Sequence, residues 1–106
     1  MNFNNADLST IKTSVLALLP DARVLLFGSR ARGDYNQQSD FDVLVITKMN
    51  IPMNEKITFR GELNKVLVTL LKAPVDVLLN SEDEINQKKN LPGHIIKWAM
   101  KEAVEL

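Results

Sequence analysis

The chain has 106 residues, 45% of them hydrophobic, which is enough for one modest core but too little for a second domain of ordinary size, so we expect a single domain over residues 1–106. Thirteen basic and thirteen acidic residues leave no net charge, which argues against the broad positive field that binds long DNA or RNA. The absence of cysteine excludes disulfides and thiolate metal sites, and no apolar run predicts a membrane span or a signal peptide, so we expect a cytoplasmic location.

The first half of the chain predicts one helix and two strands. Apolar residues at helical spacing predict a helix from Ala6 to Leu19, which ends before Pro20. The apolar run from Ala22 to Phe27 predicts a buried strand, and a second strand is predicted from Phe41 to Thr47. The polar segment from Ser29 to Ser39 lies between these strands, and we expect it to form one helical turn and then a loop.

The second half predicts two longer helices, a strand and a short helix. Helical spacing resumes after Met53 and extends to Leu71, and the apolar run from Pro74 to Leu79 predicts a third strand. Ser81 precedes three acidic residues and is expected to cap a short helix. The last helix is predicted to begin at Pro92, with an apolar stripe that extends to Leu106. This order predicts an α/β or α+β fold in which a small mixed sheet is packed with helices.

Three aspartates are the strongest indication of chemistry in the sequence. Asp40 and Asp42 stand two residues apart at the start of an apolar strand, so strand alternation directs both side chains to the same face. Two such carboxylates repel each other unless a cation lies between them, and a site with oxygen ligands alone suits Mg²⁺ or Mn²⁺. Asp76 lies within a third apolar strand, where a buried charge needs a partner that the same metal site could supply.

The turn after the first strand predicts a phosphate-binding site. Gly28 and Ser29 follow the strand directly, and a glycine there lets a phosphate approach backbone N–H groups at a helix start while the Ser29 hydroxyl donates to it. Arg30 and Arg32 add positive charge and are predicted to bind the nucleotide together with Gly28 and Ser29, although one of the two arginines could pair with Asp34 instead. A phosphate cradle beside metal-binding carboxylates predicts metal-assisted phosphoryl-type transfer.

Other motifs fit this sequence less well. The segment from Gly28 to Gly33 lacks the Gly-Lys-Ser/Thr of a P-loop and the three-glycine spacing of a dinucleotide-binding turn. A calcium loop that began at Asp40 would need a glycine at its sixth position, where the chain has Val45. His94, the only histidine, is expected to have a surface or helix-capping role.

Gly28-Ser29, followed after ten residues by Asp40-Phe41-Asp42, resembles the DNA-polymerase-β-like nucleotidyltransferase superfamily and in particular its minimal (MNT) branch. The resemblance implies that the Gly-Ser turn binds the phosphates of an NTP, with ATP as the default donor. It also implies that Asp40 and Asp42 bind Mg²⁺ and that Asp76 completes the triad. None of the signature residues is missing.

The resemblance further implies a partner, because many minimal nucleotidyltransferases act as antitoxins of a separately encoded HEPN-domain toxin, to which they attach AMP. Two other functions remain open. The chain could neutralise a partner by contact alone, without catalysis, or it could modify a small molecule as aminoglycoside nucleotidyltransferases do. The latter would need an acceptor pocket that a homodimer could supply.

Overall fold

The computed structural model describes residues 5–106. The elements, in chain order, are α1 (Asn5–Leu18), β1 (Arg23–Phe27), α2 (Gly28–Arg32), β2 (Phe41–Thr47), α3 (Met53–Leu71), β3 (Val75–Ser81), α4 (Glu82–Lys88), α5 (Ile95–Glu102) and β4 (Val104–Glu105).

Within residues 5–106 the strands form a four-stranded mixed sheet in the order β3-β2-β1-β4. Strands β1 and β2 are antiparallel, and β2 and β3 are parallel because the long helix α3 carries the chain back across the sheet between them. The predicted small mixed sheet packed with helices is confirmed, and the bounds of β2 agree with the prediction to the residue.

Alternate strand residues face two separate hydrophobic layers. On one side, Val43 and Val45 of β2 pack in the layer formed with α1 and α3, which contribute Ile11, Val15, Leu63 and Leu67. On the other side, Leu44 and Ile46 pack in the layer formed with α4 and α5, which contribute Ile85, Ile96 and Ala99. A strand buried on both faces reads as a continuous apolar run, which is why the sequence of β2 shows no polar alternation.

Side chains of α3 cover one edge of the sheet, at β3, and the short strand β4 forms the other edge. Along the outer edge of β3, side chains of α3 form hydrogen bonds to carbonyl groups of the strand. Arg60 Nε donates to Val77 O at 3.1 Å, and Asn64 Nδ2 donates to Val75 O. At the opposite edge the short strand β4 pairs antiparallel with β1. Coverage of this kind protects a sheet edge from pairing with other chains.

Strand β4 is absent from the sequence-based prediction, which continued the last helix to Leu106. The helix ends at Glu102, and Leu106 N donates to Val24 O at 2.8 Å. Two residues of strand are too short to leave a periodic signal, and the free edge of β1 that recruits them exists only in the folded chain.

The ends of the last two helices follow local chemistry. The Ser81 side chain accepts from Glu84 N, and Glu84 accepts from Ser81 N in return, which confirms the predicted cap. The prediction that the last helix begins at Pro92 is wrong, because it begins at Ile95, where Ile96 N donates to Nδ1 of the capping residue His94 at 3.1 Å. The capping role expected of His94 is thereby confirmed.

Among the residues described here, none of the helices combines the length and apolar character needed to cross a membrane.

Candidate active site

Two of the three aspartates lie side by side on neighbouring strands. Asp42 of β2 is in parallel register with Asp76 of β3, each at the second position of its strand. Because side chains alternate along a strand, both aspartates point to the same face as Leu44 and Leu78, which lie two residues further along. On this face Leu44 and Leu78 pack in the layer formed with α4 and α5. Asp40 lies just before β2, so the fold brings all three carboxylates to one end of the sheet.

The expectation that Asp76 is a buried charge is wrong. Asp76 is exposed, whereas Asp42 is half-buried. The reason is topological: β3 lies at the edge of the sheet, and the layer formed with α4 and α5 on this face includes Leu78 but not Asp76. The carboxylate therefore needs no buried partner, and it remains accessible to a ligand.

Burial and nearby negative charges raise the pKa of Asp42. Burial, followed by the negative charges of Asp76, Asp40 and Glu102, raises the pKa of Asp42 from 3.8 to about 6, against a smaller opposing effect of Arg32. A half-buried carboxylate surrounded by other carboxylates is a position where a bound cation would relieve repulsion.

Gly28 brings the turn after β1 into direct contact with this carboxylate. Its φ of 75° lies in the left-handed region, and a Cβ atom at this position would stand 2.1 Å from Asp42 Oδ2. The contact follows from register, because Phe27 pairs with Asp42 across β1 and β2. Only glycine permits both the backbone angle and the close approach, so the start of α2 and the aspartates form one site.

The two arginines of α2 differ in their surroundings. Arg30 stacks on Phe41, with its guanidinium carbon 4.0 Å from the ring centre, and on Tyr35 at 4.7 Å. Its Nη2 also donates to Ser39 O at 2.9 Å and, more weakly, to Gln37 O. Arg30 thus organises the loop that leads into Asp40.

Arg32 forms exposed ion pairs on the other side of α2. Its Nη1 lies 2.9 Å from Glu102 Oε2, and its Nε lies 3.3 Å from Asp34 Oδ2, a pairing that the sequence had suggested. The carboxylates beside it raise the pKa of Arg32, with the hydrogen bond to Glu102 as the largest cause.

Glu102, the last residue of α5, is a member of the site that sequence reasoning missed. Besides the pair with Arg32, its Oε1 accepts from the backbone N–H of Gly28 at 3.1 Å. No local signal could have found it, because 74 residues separate the two partners along the chain.

The carboxylates fit Mg²⁺ by chemistry, although they do not form a closed cage. Among residues 5–106 no three acidic or histidine side chains are gathered closely enough to hold a metal by themselves. Mg²⁺ commonly retains waters and takes substrate phosphates as further ligands, so an open, oxygen-only set beside a phosphate-binding turn suits this ion.

A cavity of about 320 Å³ opens beside Asp76, between α3 and β3. Its wall combines apolar, amide and cationic side chains and includes Ile57, Arg60, Asn64 and Lys65.

A comparison with protein families decides what kind of domain carries this site. Residues 8–104 match the nucleotidyltransferase domain, and this stretch contains every site residue predicted from the sequence. The chain belongs to this family. The family predicted from Gly28-Ser29 and the aspartates is thereby confirmed.

This nucleotidyltransferase domain is also similar to a proposed protein adenylyltransferase of Methanocaldococcus jannaschii. The two are 47% identical over 47 residues, which cover 42% of this chain and 48% of the relative. The match therefore spans about half of the relative's length.

Solved structures share the fold of this nucleotidyltransferase domain. One is a toxin–antitoxin complex with AMP-PNP, with a TM-score of 0.65, 18% identity, and coverage of 97% of this chain and 72% of the other. Another is a tri-AMPylated Shewanella oneidensis HEPN toxin in complex with an MNT antitoxin, with a TM-score of 0.61, 16% identity, and coverage of 97% and 71%. At these identities the likeness establishes the fold, as the sequence predicted.

Proposed function

We propose that this chain is a Mg²⁺-dependent nucleotidyltransferase that transfers AMP from ATP to a hydroxyl of a partner HEPN-domain toxin, as the antitoxin of that pair. The observation that carries the proposal is the contact between Gly28 and Asp42. It joins a backbone turn suited to phosphate with a carboxylate cluster suited to a divalent cation, and phosphoryl-type transfer needs both in one place.

In this proposal the turn and its arginine hold the triphosphate. The N–H groups at the start of α2 and the Ser29 hydroxyl donate to phosphate oxygens, and Arg32 supplies positive charge. Arg30 was predicted to bind nucleotide directly, but its contacts with Ser39 and Phe41 support an indirect role in which it orders the loop before Asp40.

Asp40, Asp42 and Asp76 would hold Mg²⁺, which when bound neutralises phosphate charge and favours departure of pyrophosphate. Asp76 is exposed and borders the cavity beside α3, so its carboxylate can also accept the proton of an acceptor hydroxyl that enters from that side. The same cavity gives the acceptor a place next to the reacting phosphate.

The choice of AMP and of a toxin partner rests on similarity. The relative named above is a proposed protein adenylyltransferase, and the solved complexes include AMP-PNP in one case and an AMPylated HEPN toxin in the other. Exposed apolar side chains on this chain, such as Ile57, Ile95 and Trp98, are suited to contact with a protein partner. We place this reaction in the cytoplasm, within a complex of the two proteins.

The test is the intact mass of the protein encoded next to this one after incubation with this chain and Mg-ATP. We expect a gain of one or more adenylyl groups with the wild type. Asp42→Asn should abolish the gain, whereas Asp21→Asn, which removes an exposed carboxylate outside the site, should retain it. A complex that forms and neutralises the partner without any gain in mass would refute the enzymatic proposal and support an antitoxin that acts by contact alone.

A further inference from the structure

The phosphate-binding groups of this chain are already engaged by an internal anion. One carboxylate oxygen of Glu102 accepts from the backbone N–H of Gly28 at 3.1 Å, and the other lies 2.9 Å from Nη1 of Arg32. The Glu102 side chain is 27% exposed and stands at the end of α5, beyond the buried Ile96 and Ala99 that anchor this helix. It can therefore swing away from the site without opening the core.

A carboxylate and a phosphate compete for the same donors. Both are anions with several acceptor oxygens, and both form charge-assisted hydrogen bonds with backbone N–H and guanidinium groups. The same N–H groups cannot form full hydrogen bonds with a carboxylate and a phosphate at the same time. The negative charge of Glu102 also adds to that of the aspartates, since it is among the causes that raise the pKa of Asp42.

We propose that Glu102 is a resident anion that the triphosphate displaces from Gly28 and Arg32, so that this residue sets the affinity for the nucleotide. The inference rests on the proposed function, because it takes the Gly-Ser turn and Arg32 as the binding site of the phosphates. In this structure Glu102 satisfies the Gly28 N–H and pairs with Arg32. When nucleotide binds, the same side chain has to leave, and its departure opposes binding.

The matched substitution is Glu102→Gln. Glutamine keeps an oxygen that can accept from Gly28 N, but it removes the charge that holds Arg32. Glu105→Gln is the control. The Glu105 side chain also pairs with an arginine, Arg23 at 2.7 Å, but it lies on the edge strand β4 and makes no contact with Gly28 or Arg32 among the ion pairs and hydrogen bonds of the described residues.

The experiment measures the dissociation constant of AMP-PNP at saturating Mg²⁺ by calorimetry for the three proteins, with adenosine as a ligand that lacks phosphates. We expect Glu102→Gln to bind AMP-PNP roughly three- to tenfold more tightly than the wild type, in line with the loss of one charge-assisted competitor. Glu105→Gln should match the wild type, and the affinity for adenosine should not change in any of the three.

Each outcome separates this inference from the function on which it rests. Equal or weaker AMP-PNP binding by Glu102→Gln, with the wild type still binding, would overturn the inference and leave the proposed function standing. Tighter binding of adenosine by Glu102→Gln would also overturn the inference, because the change in affinity would then not act through the phosphates. If none of the three proteins binds AMP-PNP, the proposed function fails and the inference fails with it.

Discussion

Gly28→Ala should separate the chemistry of the site from the stability of the fold. Alanine at a φ of 75° costs roughly 1–2 kcal/mol, partly offset by about 0.4–1 kcal/mol from a less flexible unfolded chain. The new Cβ would stand 2.1 Å from Asp42 Oδ2, whereas Cβ atoms essentially never come within 3.0 Å of such a neighbour, so the carboxylate has to move by about 0.9 Å. A displacement of about 1 Å at a reacting centre can cost on the order of 100-fold in rate, and we expect that loss here.

Gly93→Ala is the matched control. Gly93 has nearly the same φ, 73°, but a Cβ atom there would meet no other atom within 4 Å. Both variants are compared with the wild type by urea unfolding and by the rate of the proposed AMP transfer to a partner protein. Gly93→Ala should lose only the backbone cost, about 0–1.6 kcal/mol after the offset, and should keep its activity.

Two results would refute this reasoning. If Gly28→Ala transferred AMP at more than half the wild-type rate, the contact between this glycine and Asp42 would not matter for the chemistry. If Gly93→Ala lost activity to the same extent, the loss would reflect backbone strain in general and not the position of the carboxylate.

Three further substitutions test other parts of the structure. Arg30→Lys should lower kcat about tenfold with little change in KM for ATP, because lysine lacks the planar guanidinium that stacks on Phe41 and bonds to the loop. Steady-state kinetics with a raised KM and an unchanged kcat would contradict this. Asp42→Asn should stabilise the metal-free protein by about 1 kcal/mol at pH 8, since it removes a crowded charge, and an unchanged urea midpoint would argue against such crowding. Glu84→Gln should cost about 2 kcal/mol at pH 7, because the buried Lys56 loses its carboxylate partner at 2.6 Å. Burial alone would raise the pKa of Glu84, but the hydrogen bonds from Lys56 and the Ser81 backbone, together with nearby positive charge, lower it. This stabilisation is therefore present above pH 4.5 and is lost as pH falls below that value. A difference in urea midpoint between variant and wild type that stays constant as the pH is lowered below 4.5 would refute this.

Much of the fold could be read from local patterns. The helix predicted from Ala6 to Leu19 is observed one residue earlier at each end, and the capping box at Ser81 follows from its own residue and Glu84. These features depend on spacing of 3.6 residues or on hydrogen bonds within one turn, both of which are written in consecutive residues.

The candidate site was predictable only in part. The turn at Gly28 and the Asp-x-Asp pair are local motifs, and their residue types already suggest phosphate and a divalent cation. The exposure of Asp76 was missed, because whether a strand lies at the edge of a sheet depends on the order of strands in space. The loop contacts of Arg30 were also missed, since a short sequence does not show which way a side chain turns.

By itself the sequence therefore determined most of the secondary structure, the family and the residues that suggest the chemistry. The tertiary structure decided which of these residues meet. Strand register placed Asp42 beside Asp76, the pairing of β1 and β2 brought Gly28 into contact with Asp42, and the packing of α5 brought Glu102 to Gly28 and Arg32. The physical reason is that motifs depend on neighbours in sequence, whereas the pKa, accessibility and competition of charged groups depend on neighbours in space, which only packing of the sheet and helices can supply.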